Sequence, residues 1–323
     1  MEIFEECVQG VREVCGQRPM VVLPSTEYFN SFLLMHRAEI ESMGCEIPLV
    51  ETQIYNLLTS KRSATDFFAA AGFPVPAEPG ASEPANLPLV AKPFRNISKK
   101  GRSLYPQLLT TRSELDAFVA LEDTEEYFLQ EYVSGESYYL FVYVPRSGDQ
   151  AHTFSQRNLM QQPNGKSMLL AEPASFHLSP IATRVVELLR NAGFRGLGMV
   201  EIIKTPDRAV FIEMNPRIWG PIQLCVDRQQ PLLRAFIGEA LHGDPSRFVE
   251  SDPQPSPRIA RYFWLNGLID TIAAGKRPTW HIPKQSILKI AFANLKNDVY
   301  LRADSWRCFV CDLMRTNKNG TPS

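Results

Sequence analysis

The chain has 323 residues, 44% of them apolar and 21% charged, and a formal net charge of −1, a soluble globular composition with enough apolar material for one large domain or two to three smaller ones. The near-neutral charge leaves no long-range field to draw in nucleic acid or an anionic membrane, and no apolar run approaches the roughly 20 residues that span a bilayer. Neither is therefore an expected partner, and the cytoplasm is the expected compartment.

Residues 2–15 place Ile3, Phe4, Cys7, Val8, Val11 and Val14 at helical spacing and predict an amphipathic helix. "MVVLPS" reads as a buried strand ended by Pro24. A second helix carries Phe29, Phe32, Leu33, His36, Ile40 and Met43 on one face and closes at Gly44, with His36 read as packed rather than ligating. "CEIPLV" is a second strand, and this alternation predicts a small α/β unit with a parallel sheet.

The helix in "SKRSATDFFAAAG" runs to Gly72 and gives way to "FPVPAEPGASEPANLP", whose prolines and lack of periodicity mark a surface connector. A strand "LVAKP", a loop rich in Lys, Arg and Gly, and a helix introduced by the capping box Thr111-x-x-Glu114 follow. "EYFLQEYV" and "SYYLFVYVP" are rich in β-branched and aromatic residues, flank Ser134-Gly135, and predict a hairpin. Ser179-Pro180 starts a helix that ends at Gly193. "SDPQPSP" reads as a linker and "TNKNGTPS" as a frayed tail. The six cysteines lack a disulfide-framework spacing, and Cys308-x-x-Cys311, with no further zinc ligand near it in sequence, reads as a pair of buried small residues.

"GLGMVEIIKTPDRAVFIEMN" predicts two strands joined at "TPDR". With the hairpin centred on Asp207, Glu201 falls opposite Glu213, and alternation puts Glu201, Ile203, Phe211, Glu213 and Asn215 on one face. Two carboxylates in direct register repel each other and stabilise nothing by themselves. On geometry alone three explanations stand: an accident of register on a wet face, paired-carboxylate acid/base chemistry as in glycoside hydrolysis, or a hard cation bridging the pair with the Asn215 carbonyl as a further oxygen ligand. Arg217, two positions on, adds a planar cation able to grip a carboxylate or phosphate through two hydrogen bonds.

Glu201 followed by Glu213-x-Asn215-x-Arg217 resembles the magnesium-binding signature of the ATP-grasp superfamily, to which biotin carboxylase, carbamoyl phosphate synthetase and D-alanine–D-alanine ligase belong. The resemblance implies an α/β (α+β) ATP-grasp fold that clamps a nucleotide between two subdomains. It divides the chain into a shortened N-terminal α/β pre-grasp domain (1–60), an ATP-grasp domain (61–250, with a lid at about 86–134) and a C-terminal extension (251–323). Lys61, ahead of "GFPVP", and Lys92, in "LVAKP", are similar to the two nucleotide-binding lysines. "FRNISKKGRS" stands where relatives carry a glycine-rich phosphate loop, but it holds only Gly101, with charge from Lys99, Lys100 and Arg102.

"FLQEYVSGES" is similar to the adenine-binding hinge, which implies Glu131, Tyr132 and Val133 at the base and Glu136 at the ribose, although many relatives carry the ribose acid where Ser137 stands. The same resemblance implies Arg157 near the transferred phosphate, Gly165 and Lys166 near the acceptor, Glu201, Glu213 and Asn215 as metal ligands, and Arg217 as the catalytic residue. The implied cofactors are ATP and Mg2+, with Mn2+ as a substitute, and the implied partners are a small-molecule carboxylate and an amine or peptide, with a homodimer compatible. The implied activity is an ADP-forming carboxylate–amine ligase working through an acyl phosphate. The alternative is a nucleotide-binding ATP-grasp module without turnover, regulatory or structural, which the sparse glycine loop favours. Trp219, Trp264 and Trp280 are candidates for the acceptor pocket or, as aromatic residues at such spacing more often are, core residues, and Arg258 and Arg261 are candidates to bind a substrate carboxylate.

Overall fold

A computed structural model of the chain describes residues 1–16, 18–79, 86–95, 98, 100, 102, 104–148, 150–249, 261–308 and 310–311. The N-terminal unit comprises α1 (Glu2–Cys15), β1 (Met20–Val21), α2 (Glu27–Met35), α3 (Arg37–Ser42) and β2 (Cys45–Glu46). β1 and β2 pair in parallel, as the helix–strand alternation predicts, although each is only two residues long. The single helix expected around His36 is two helices broken at that residue. His36 bonds Glu39 at 2.9 Å and lies 4.9 Å from the Phe32 ring, so it is a packed junction residue rather than a ligand. Gly44 ends the segment at φ 75°, a conformation that glycine adopts without a Cβ penalty.

Next come α4 (Thr52–Thr59), α5 (Lys61–Ala70), β3 (Leu89–Pro93), β4 (Gln107–Leu109), α6 (Arg112–Val119) and β5 (Tyr127–Glu131). β4, β3 and β5 form a small antiparallel sheet in that order, with Leu89, Ala91, Leu109, Leu115 and Phe118 as its core. The capping box at α6 forms as predicted: the Thr111 hydroxyl accepts from the Glu114 N–H, and the Glu114 carboxylate accepts from the Thr111 N–H.

The remaining elements are β6 (Glu136–Val144), β7 (His152–Gln161), β8 (Met168–Ala174), α7 (Pro180–Asn191), β9 (Gly196–Lys204), β10 (Ala209–Asn215), α8 (Ile222–Asp227), α9 (Pro231–His242), β11 (Tyr262–Phe263), α10 (Leu265–Ala273), β12 (Thr279–Trp280) and α11 (Ile287–Asn294). Seven strands make a large antiparallel sheet in the order β10-β9-β6-β7-β8-β11, with β12 added on β7. The hairpin expected between β5 and β6 does not form. β5 pairs with β3 in the small sheet, and β6 lies between β9 and β7, so residues 132–135 cross from one sheet to the other. The residues from Tyr139 to Val144 are buried without alternation, which requires cover on both faces of β6 and a central place in the large sheet.

One face of that sheet (Leu140, Val142, Val200, Ile202, Phe211, Met214) packs against the N-terminal unit, α4, α5 and α7. The other (Tyr139, Phe141, Phe154, Leu197, Met199) packs under Trp219 and the α8–α9 pair. No helix among the described residues is long and apolar enough to cross a membrane. Cys308 and Cys311, expected to be buried, are exposed, because every described residue of 306–311 faces solvent.

Candidate active site

The facing carboxylates are present, reached by a route the sequence pattern does not show. Near the turn, Ala209, Val210 and Phe211 pair with Lys204, Ile203 and Ile202, one residue out of the expected register. A β-bulge at Ile212 then inserts one extra residue, after which Glu213 pairs with Glu201 and Asn215 with Met199. The bulge also inverts the alternation, so Phe211 lies on the opposite face from Glu213, contrary to expectation, and stacks on Phe68 of α5 at 3.8 Å. The carbonyl of the bulged Ile212 accepts a 3.0 Å hydrogen bond from the Lys92 ammonium, which ties the small sheet to the large one.

Around this pair the electrostatics are tightly linked. Burial lowers the pKa of Lys92, while Glu213 and Glu201 raise it and Lys61, at the first turn of α5, lowers it further. Burial pushes Glu201 up to about 8, and Glu213 adds to the rise; Lys92 and a 3.1 Å hydrogen bond from the Ser137 hydroxyl oppose it. Tyr139 pairs with Glu201 on the neighbouring strand, and burial followed by the two carboxylates holds its phenol well above its ordinary value. The Asn215 amide donates to Glu213 Oε1 at 2.9 Å, and its Oδ1 accepts from Arg217 Nη2 at 3.3 Å. Arg217 is held in turn by its bonds to the Ile218 and Ser25 carbonyls, and the Ile218 N–H reaches the Pro24 carbonyl, so the N-terminal unit sets its position.

The donor set fits a hard divalent cation. The two opposed carboxylates are hard oxygen donors whose mutual repulsion a cation would relieve, while the Asn215 amide turns its nitrogen to Glu213 and its oxygen to Arg217. Among the described residues no group of three or more His, Cys, Asp and Glu is present, so the other ligands of such an ion would come from phosphate and water.

The structure brings Lys61, Lys92, Glu201, Glu213, Asn215 and Arg217 together but does not bring Glu136 or Arg157 to them. Glu136 and Arg157 lie on the other face of β6 and β7, where Arg157 donates to Glu136 at 3.1 Å and to Glu172 at 2.6 Å, and Tyr138 donates to Glu136 at 2.9 Å. Ser137, between Glu136 and Tyr138, faces Glu201 instead and accepts from Asn158 at 2.8 Å, and Asn158 accepts from Gln156 at 2.8 Å. Sequence reasoning missed Tyr139, Gln156 and Asn158; the available signal was two polar residues spaced two apart in "SQRNLM", an otherwise buried strand.

At the crossover, the Glu131 N–H is bonded to the Ala77 carbonyl and the Tyr132 N–H to the Pro88 carbonyl, while the Glu131 carboxylate accepts from Arg208 at 2.7 Å. The Val133 N–H has no partner among the described residues. Gln130, also missed, is buried with both amide atoms unpartnered among the described residues, and it shares with Lys92 one face of the small sheet. A Cβ on Gly135 would overlap the Lys204 carbonyl oxygen, so the crossover hugs the end of β9.

In the phosphate-loop region, Lys100 pairs with Glu122 and Asp123, and Arg102 with Asp123. Lys99 and Gly101, like Arg258, lie outside the described residues. Lys166 sits 4.0 Å over the Tyr105 ring, which joins the segment after the loop to the β7–β8 connection. Trp219 is buried and stacks on Phe141 at 4.2 Å, a core position.

The chain has the ATP-grasp fold, which the solved structures similar to it share. No protein-family model matches the sequence, and no curated protein matches it significantly. Solved structures similar to it include the Campylobacter jejuni biotin carboxylase in complex with β,γ-ATP, at 15% identity over 76% of this chain and 58% of that one, TM-score 0.54. The biotin carboxylase domain dimer of Hydrogenobacter thermophilus 2-oxoglutarate carboxylase, with MgADP, ADP and bicarbonate, matches at 17% identity over 77% of this chain and 59% of that one, TM-score 0.55. An ADP complex of N5-carboxyaminoimidazole ribonucleotide synthetase matches at 17% identity over 64% and 57%, TM-score 0.51. The chain thus spans under two thirds of the length of each of these proteins.

Proposed function

We propose that the chain is an ATP-dependent, ADP-forming ligase that activates a carboxylate as an acyl phosphate and joins it to an amine. The observation that carries this reading is the convergence of Glu201, Glu213 and Asn215 with Lys92 where the small sheet meets the Ile212 bulge. Lys61 and Lys92 contact the phosphates, and the 131–133 crossover, with the free Val133 N–H and the Gln130 amide, reads the adenine edge. Glu201, Glu213 and Asn215 would hold Mg2+, or Mn2+ in its place. Such an ion would supply positive charge that offsets the charge developing on the transferred phosphoryl group.

The acceptor carboxylate attacks the γ-phosphorus as the bond to the bridging oxygen of ADP breaks. The amine nitrogen then attacks the acyl carbon, phosphate leaves with its bonding pair, and the amine releases a proton. Arg217 orients the carboxylate and stabilises charge at the reacting centre. Positioning and positive charge carry most of the catalysis. The cytoplasmic compartment, the division at residues 60 and 250, and a homodimer of the kind formed by the 2-oxoglutarate carboxylase domain belong to the same proposal.

The test is purified protein with ATP, magnesium and pooled amino acids. Release of ADP and phosphate that depends on an added carboxylate and amine supports the ligase. Release of AMP and pyrophosphate, or ATP binding without turnover that is indifferent to Glu213→Ala, rejects it.

A further inference from the structure

The row of side chains that begins with the carboxylate pair continues across the large sheet. Glu213 pairs with Glu201, Glu201 with Tyr139, Tyr139 with Gln156, and Gln156 with Pro173 on β8. Three strand spacings separate Glu201 from Pro173, about 14 Å at roughly 4.8 Å per strand. Midway along the row, Gln156 is fully buried and its Oε1 has no partner among the described residues.

At the far end of this row lies a cavity of about 480 Å³ whose walls include Glu172, Pro173, Arg228, Arg261, Asn294 and Lys296. Its charge is unbalanced. The Glu172 carboxylate is occupied from both sides: Oε1 accepts from Arg157 at 2.6 Å and Oε2 from Arg261 at 2.9 Å. The nearby Asp227 carboxylate is taken by Arg302 through two bonds of 2.7 and 2.8 Å. Among the described residues no carboxylate meets Arg228 or Lys296, so two cations face the cavity without counter-charge. Asn294 and Asn297, both buried, are bonded to each other at 3.2 Å and give the wall a fixed polar floor.

We infer that this cavity binds an anionic group, carboxylate or phosphate, of the acceptor substrate, held by Arg228, Arg261 and Lys296. The inference rests on the ligase reading above and narrows its substrate class. The acceptor then carries a carboxylate or phosphate besides the carboxylate that reacts.

Isothermal titration of the full chain with triglutamate, with inorganic phosphate and, separately, with MgADP tests this. The comparison uses wild type, Arg228→Gln, Lys296→Gln and, as a control, Lys289→Gln, an exposed lysine of α11 outside the cavity wall. Triglutamate binding that weakens about tenfold in Arg228→Gln and Lys296→Gln, with Lys289→Gln and MgADP affinity unchanged, supports the inference with a carboxylate in the pocket; each tenfold corresponds to about 1.4 kcal/mol. The same pattern with inorganic phosphate supports it with a phosphate there. Anion affinity that is absent, or equal in all four proteins, overturns the inference while MgADP binding leaves the ligase reading standing. A wild-type chain that fails to bind MgADP overturns both.

Discussion

A carboxylate pair in direct register is stable only where something offsets its repulsion, and here the buried Lys92 ammonium and the Ser137 hydroxyl do so only in part. Between 4.5, the ordinary glutamate value, and about 8, the folded chain keeps on Glu201 a proton that the unfolded chain has released. This raised pKa favours the folded state at the acid end of the window, and the advantage is lost as pH rises through about 8. Urea denaturation of Glu201→Gln against wild type is therefore expected to show the variant gaining relative stability as pH rises across that window. Taking the difference cancels His152, His177 and His281, whose pKa values burial lowers in both proteins. A difference that does not change with pH would contradict the assignment. Arg217→Lys keeps the charge but loses the planar fork, and kcat is expected to fall on the order of 10²-fold with the circular dichroism spectrum unchanged. Near-normal turnover in that variant removes Arg217 from the site.

At the scale of elements, local chemistry and long-range pairing part company. The Thr111 capping box and the Ser179 N-cap with Pro180 behind it lie within single turns, and both helices begin where those residues place them. The break at His36, the short β4 and the partner of β5 depend on which surfaces are already occupied, and no window of sequence holds that information. α5 carries Lys61 at its first residue and docks on β10 through the Phe68–Phe211 stack. Phe68→Ala is expected to cost about 3–5 kcal/mol in denaturant unfolding and, with α5 loosened, to raise the KM for ATP. An unchanged midpoint would show that the stack contributes little. Gly135→Ala forces the crossover off the Lys204 carbonyl, and its expected effect is weaker ADP binding by calorimetry together with about 1–3 kcal/mol of lost stability. Full ADP affinity in that variant dissociates the crossover from the nucleotide site.

Over the whole molecule, nucleotide binding would join two sheets that already touch through Lys92 and Ile212. MgADP at a hundredfold excess over Kd is expected to raise unfolding free energy by about 2.7 kcal/mol in wild type and by much less in Glu213→Gln at the same concentration. Equal stabilisation of both proteins would place the nucleotide's metal elsewhere. The Glu201 to Arg217 pattern, the two lysines and the strand and helix periodicities were legible in the sequence, because residue type and spacing along one strand fix which groups can face one another. The sequence alone thus named Glu201, Glu213, Asn215 and Arg217 as candidates, while the register that sets Glu213 opposite Glu201 came from the Ile212 bulge. Tertiary structure decided the rest. It set the β5-to-β6 crossover, placed the bulge that turns Phe211 away and offers a carbonyl to Lys92, and sent Glu136 and Arg157 to the opposite face. Each of these depends on the pairing partner and register of a strand, which are fixed by packing between segments far apart in the chain.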